Sequence, residues 1–220
     1  VSAFLLNRSS DLRLNSVSGI HKTTSLDTKN CYADLAAEVN CDTLDDIECP
    51  DEKDRASKLC IKAMKEALND AGLGDFADSS RVSVIIGSCV GGVLSIEQYH
   101  RHGKNVNEIP KMPIAAIASQ VAEACHAGGI VTNVGNACAA GTISIALACD
   151  LIRAGKADVV IAGGSDSFAS VPYSGFLSLH ALDENGCSPF NHCNGITLGE
   201  GAGIVIVESL EHAEKRNAKR

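Results

Sequence analysis

Asn133-Val-Gly-Asn-Ala-Cys-Ala-Ala-Gly141 is the stretch on which the fold turns. Just before it, Ile130 to Val134 is a short β-branched run that reads as a strand. After it, Ala139 to Ala154 reads as a helix with Ile143, Leu147 and Leu151 on its core face, stopped by Gly155. Cys138 therefore stands at a strand-to-helix turn, ringed by Ala137, Ala139, Ala140 and Gly141. Small neighbours leave room for a bulky substrate. A helix that starts at Ala139 directs free N–H groups and a positive dipole end at the sulfur. That setting favours the thiolate, which is the nucleophilic form of cysteine. A second reading stays open on these residues alone: a buried cysteine that only packs at a tight helix start.

The same alternation extends along the chain. Asp51 to Gly72 is amphipathic, with Ala56, Leu59, Ala63 and Ala67 on one side and Lys53, Lys58, Lys62, Lys65 and Glu66 on the other. Gly72 and Gly74 end it. Arg81 to Gly87 reads as a buried strand, followed by a loop from Ser88 to Gly92. Pro110 and Pro113 precede an Ala-rich helix over Ile114 to Ala127, and Asp158 to Ala162 is a strand before Gly163-Gly164. Gly203 to Glu208 is a last strand, and Ser209 is placed to cap a charged helix. Strands alternating with helices predict an α/β fold with a largely parallel sheet.

Composition narrows the function. The 220 residues carry 19 Lys and Arg against 27 Asp and Glu, a net charge of −8. That balance argues against nucleic acid as a partner, because phosphate binding needs clustered Lys and Arg. No apolar run is long enough for a membrane-spanning helix. The ten cysteines contain no C-x-x-C pair, and Cys187, His192 and Cys193 do not have a standard metal-ligand spacing. The cysteines read as reduced, small core residues of a cytosol-like compartment, with one or two reactive exceptions.

Two other motifs fail or weaken. Gly199-Glu-Gly-Ala-Gly203 lacks the third glycine of a dinucleotide fingerprint, since position 204 is Ile204, and it precedes a strand. Gly87-Ser-Cys-Val-Gly91 is a G-x-C-x-G elbow that would expose Cys89. His180, His192 and His212 follow it, but none sits in a supporting context.

At Cys138 the chain resembles the β-ketoacyl synthases, the condensing enzymes of fatty-acid and polyketide synthesis. Asn136-Ala-Cys-Ala-Ala-Gly141 resembles their nucleophile motif. Ile152 to Asp158, Ile161 to Gly164, Ser188-Pro-Phe190, Gly195 to Gly203 and Ser209 to Ala213 resemble later segments in the same order. Gly87 to Gly92 resembles a Gly-rich turn, with Cys89 where glycine is usual, and Asn191 stands where an acid is usual.

The resemblance implies a thiolase-like fold, of which residues 1–220 would be the N-terminal half: a mixed five-stranded sheet with helices on both faces. The opening strand would be central and precede Val1, and two catalytic histidines and a lysine would lie beyond Arg220. A half domain should also expose an apolar face. Cys138 would accept an acyl group from acyl carrier protein or coenzyme A, and malonyl thioester would lose CO2 and attack the acyl-cysteine. Its N–H would contribute to an oxyanion hole. No nicotinamide, flavin or metal would be required.

The resemblance also implies a homodimer that pairs through Ile130 to Val134, against the alternative of an internal strand. Lys53, Arg55 and Lys58 would be candidates to meet the acidic carrier protein, against the alternative of a solvated helix face. None of His100, His102, His126, His180, His192 and His212 is assigned to catalysis: His126 reads as a packing residue, His100 and His102 as loop residues. Two other activities fit less well. They are a thiolase-like or initiating acyltransferase, and a non-catalytic synthase-like subunit, which would commonly lack the cysteine.

Overall fold

The computed structural model describes residues 2–5, 18–39, 54–74, 76, 78–191 and 194–218. Its strands are β1 (Ser2–Leu5), β2 (His21–Lys22), β3 (Leu35–Ala37), β4 (Val82–Gly87), β5 (Val131–Val134), β6 (Val159–Asp166), β7 (Leu198–Gly199) and β8 (Gly201–Glu208). Its α-helices are α1 (Arg55–Ala71), α2 (Val93–Arg101), α3 (Ala115–Ala124), α4 (Ala140–Arg153), α5 (Ser170–Ser178) and α6 (Leu210–Lys215).

Five strands form the main sheet in the order β1-β8-β6-β4-β5. β4 runs parallel to both β5 and β6, whereas β8 is antiparallel to β6 and to β1. The sheet is therefore mixed. Strand alternation sorts the core onto two faces. Val82, Val84, Ile86, Val159 and Ile161 pack with α1 and α3, while Ile85, Val160 and Ala162 pack with α4. Helices thus cover both faces, as the resemblance implied. A second sheet, β2-β3-β7, was not foreseen; its strands are only two or three residues long and leave no periodic signal.

The opening strand needs correction. The first strand described is not central: Ser2–Leu5 pairs antiparallel with β8 at the sheet edge and supplies the fifth strand.

α1 follows its pattern, with Ala56, Leu59, Ala63 and Ala67 fully buried. It starts at Arg55, because Asp54 takes the N-cap position and accepts the Ala56 N–H at 3.0 Å. Asp51 to Lys53 lie outside the described residues. Gly72 ends the helix at φ 66°, and Ser209 caps α6 by accepting the His212 N–H.

α4 follows the expected face only in part: Leu151 packs against the core, but the fully buried positions lie elsewhere. Ala140, Ser144 and Ala148 are the buried positions, and Leu147 is 40% exposed. The reason is close packing on a glycine-bearing strand. The Ser144 hydroxyl donates to the Gly163 carbonyl at 2.6 Å, an approach that larger side chains would prevent. Among the described residues, no helix is long and apolar enough to cross a membrane.

Candidate active site

β4 and β5 lie side by side with Gly87 opposite Val134. The Ser88 N–H continues the ladder to the Val134 carbonyl at 3.0 Å. Both strands therefore release their chains at the same end of the sheet. Cys89 lies in the turn after β4 and Cys138 in the turn after β5, and both are exposed.

Cys138 is the middle residue of a 3-10 turn, Ala137–Ala139, that leads directly into α4. Its N–H belongs to the opening turn, where no intrahelical acceptor exists. Ala137, immediately before it, has φ 44°. This left-handed conformation costs an alanine about 1–2 kcal/mol and bends the chain sharply enough to present the next side chain. Gly87 lets the helix start sit against β4, since a Cβ there would collide with the Ala140 carbonyl.

Three polar side chains hold this end of the sheet. The Asp166 carboxylate, at the end of β6, accepts the Ser88 hydroxyl at 2.6 Å, the Cys89 N–H at 2.9 Å and the Val90 N–H at 3.0 Å. The Ser88 hydroxyl oxygen in turn accepts the Gly91 N–H at 2.8 Å. Asn133 fastens β5: its amide donates to the Ile86 carbonyl and accepts the Ala118 N–H. Ser144 ties α4 to β6. None of the three was singled out from the sequence.

The structure brings Cys138 and Cys89 into neighbouring turns at the same end of the sheet. His212 lies on α6, 2.8 Å from Glu208, and His180 stacks on Tyr32. His126 is exposed just past α3 at φ 55°, so it does not pack as expected. His100 is exposed on α2 rather than in a loop. His192, Cys193, Cys41 and Cys49 lie outside the described residues. Among the described residues, no group of His, Cys, Asp and Glu could hold a metal ion. Burial pushes the Cys60 and Cys125 thiols up, as suits core cysteines.

Arg55 is committed elsewhere. Its guanidinium donates to the buried Glu200 carboxylate from Nε at 2.8 Å and from Nη2 at 2.5 Å, and to the Val39 carbonyl at 2.7 Å. The glycine block 199–203 thus carries an ion-pair anchor that was not foreseen. At Asn191 the turn closes through the backbone, with its N–H donating to the Ser188 carbonyl at 3.0 Å.

A family model described as "Beta-ketoacyl synthase, N-terminal domain" matches residues 21–213. The chain belongs to the β-ketoacyl synthase family. Nodulation protein E of Rhizobium sp. (strain N33) is 37% identical to this β-ketoacyl synthase chain over 175 residues, covering 75% of the chain and 44% of that protein. The 3-oxoacyl-[acyl-carrier-protein] synthase 2 of Staphylococcus aureus (strain N315) is 34% identical over 228 residues, covering 93% and 54%. The chain spans about half the length of these curated relatives.

Among solved structures, the ishigamide ketosynthase/chain length factor superposes with a TM-score of 0.84 at 26% identity, covering 99% of this chain and 59% of that one. A β-ketoacyl synthase from Burkholderia phymatum STM815 gives 0.78 at 25% identity, covering 91% and 54%. The thiolase-like fold is that of these ketosynthases.

Proposed function

We propose that this chain is the N-terminal half of a condensing enzyme, and that Cys138 carries the acyl group in a decarboxylating Claisen condensation. The observation that carries the reading is the exposed Cys138 at the strained turn opening α4. The Cys138 thiolate attacks an acyl thioester, its S–C bond forms, and the carrier thiolate leaves. Malonyl thioester then loses CO2. The resulting carbanion attacks the acyl-cysteine carbonyl, and the cysteine leaves as thiolate while ketoacyl thioester is released. Sulfur suits both steps, being a good nucleophile and a good leaving group. The Cys138 N–H, in the opening turn without an intrahelical acceptor, would donate to the oxyanion.

Acyl carrier protein is the proposed carrier, in line with the name of the Staphylococcus aureus relative. Its docking basic residues do not include Arg55, which Glu200 occupies. Proton handling at decarboxylation is proposed to fall to residues outside residues 1–220; His212 and His180 are engaged with Glu208 and Tyr32. Leu147 on the outer side of α4 is proposed to lie under the second half. The edge strand β5, with Val131 37% exposed, is proposed to pair with its copy in a homodimer. The thiolate chemistry calls for a reducing setting, and the cytoplasm is the proposed location.

Residues 1–220 expressed alone are therefore expected to give no ketoacyl product from acyl and malonyl carrier protein, whereas the full-length protein does. Product release is read by mass spectrometry of the carrier protein. Product from the isolated segment would overturn the assignment of a required second half.

A further inference from the structure

Cys138 has a second exposed thiol for company. Gly87 and Val134 are register partners on adjacent parallel strands, and the Ser88 N–H bonds to the Val134 carbonyl. Cys89 and Cys138 leave that shared end in neighbouring turns. They are the exposed cysteines among the described residues; Cys60 and Cys125 are buried, and Cys31, Cys149 and Cys187 are half-buried. Hydrogen bonds from the Cys89 and Val90 N–H groups to Asp166 fix the first turn in place. Burial, the Asp166 carboxylate and Cys138, in that order, push the Cys89 thiol up.

We propose that Cys89 and Cys138 form an oxidisable pair whose disulfide reversibly withdraws the nucleophile when a hydroperoxide is present. The proposal rests on the reading of Cys138 as the acyl-carrying cysteine. The order of events follows from the two environments. Cys138, at the opening of α4, is the thiol that meets the oxidant. Its thiolate attacks a peroxide oxygen, the O–O bond breaks, and Cys138 becomes a sulfenic acid while hydroxide leaves. Cys89 then attacks the Cys138 sulfur. The S–S bond forms, the S–O bond breaks, and the Cys89 proton leaves with the hydroxyl as water. Two thiols have lost two electrons and two protons, and hydrogen peroxide has been reduced to two waters.

The benefit is chemical. A sulfenic acid left alone proceeds to sulfinic and sulfonic acids that thiols do not reverse, whereas a disulfide is reopened by thiol exchange.

The test uses the reduced full-length protein, hydrogen peroxide, then iodoacetamide and peptide mass mapping. In the wild type, Cys89 and Cys138 should lose alkylation together. A cross-linked peptide two hydrogens lighter than the reduced pair should appear, and dithiothreitol should restore both thiols and acyl-enzyme formation. In Cys89→Ser, Cys138 should pass to sulfinic and sulfonic acid, with activity measured against its own untreated sample staying lost after dithiothreitol. A wild type in which Cys138 oxidises while Cys89 stays fully alkylatable would overturn the proposal, and so would full recovery of Cys89→Ser. If that variant does not fold, the wild-type peptide map decides alone. Failure of the nucleophile reading shows separately, as acyl-enzyme formed by Cys138→Ala.

Discussion

Cys138→Ala in the full-length protein is expected to abolish transfer of a radiolabelled acyl group from carrier protein to enzyme, and to lower condensation by about 10⁴–10⁶-fold, the scale on which a covalent nucleophile is missed in other enzymes. The size of the effect follows from the division of labour. On the proposed mechanism the cysteine forms the only bond that holds the acyl group between the two half-reactions, so neighbouring groups would have nothing to stabilise once it is gone. The fold should barely register the change. Cys138 is exposed in a short turn before α4, and alanine suits a helix start flanked by alanines. A surface change of this kind shifts stability by about 0.5 kcal/mol or less. Unaltered thermal unfolding together with lost acylation separates a chemical role from a structural one. A variant that still accumulates acyl-enzyme would show the nucleophile to be elsewhere.

The largest effect on stability is expected at Glu200. Its side chain is 1% exposed, and its oxygens accept from the Val39 N–H at 2.8 Å, the Phe168 N–H at 3.1 Å and the Arg55 guanidinium. Three separate segments of chain meet at this one carboxylate. Removing one member of a buried ion pair leaves the other charge without compensation, at a cost of about 3–5 kcal/mol. Glu200→Ala should therefore lower the melting temperature by roughly 6–20 °C in a protein of this size class. Replacing both partners with apolar residues, Arg55→Met with Glu200→Leu, should recover a good part of that loss, because no charge is then stranded. A melting temperature within a degree or two of wild type for Glu200→Ala would contradict the anchoring role.

What could be read from the sequence and what could not divide along physical lines. α1 was legible because one buried stripe repeats every turn, and Gly72 and Ser209 were legible because capping is local chemistry. The strand-turn-helix setting of Cys138 was legible because a strand, a small-residue turn and a helix follow one another within about twenty residues. Asp166 was not, since it meets Ser88, Cys89 and Val90 across more than seventy positions, and a carboxylate after a strand has no local mark of its role. Glu200 and Arg55 are separated by 145 positions and share the same difficulty. Leu147 was assigned to the core face because hydrophobic spacing cannot say which apolar stripe faces a sheet. In α4 the small stripe of Ala140, Ser144 and Ala148 faces it, since a close helix-to-strand approach outweighs the larger side chains. The edge position of β1 depends on pairing with β8 some two hundred residues away.

The central claim is that Cys138 holds the acyl group, and the most direct measurement is to find that group. Full-length protein loaded from acyl carrier protein, without malonyl thioester, is quenched in acid, digested and mapped by mass spectrometry. The account predicts the acyl mass on the peptide that contains Cys138, released by neutral hydroxylamine as a thioester should be. An acyl mass on the peptide carrying Cys89, or on any residue other than Cys138, would contradict it.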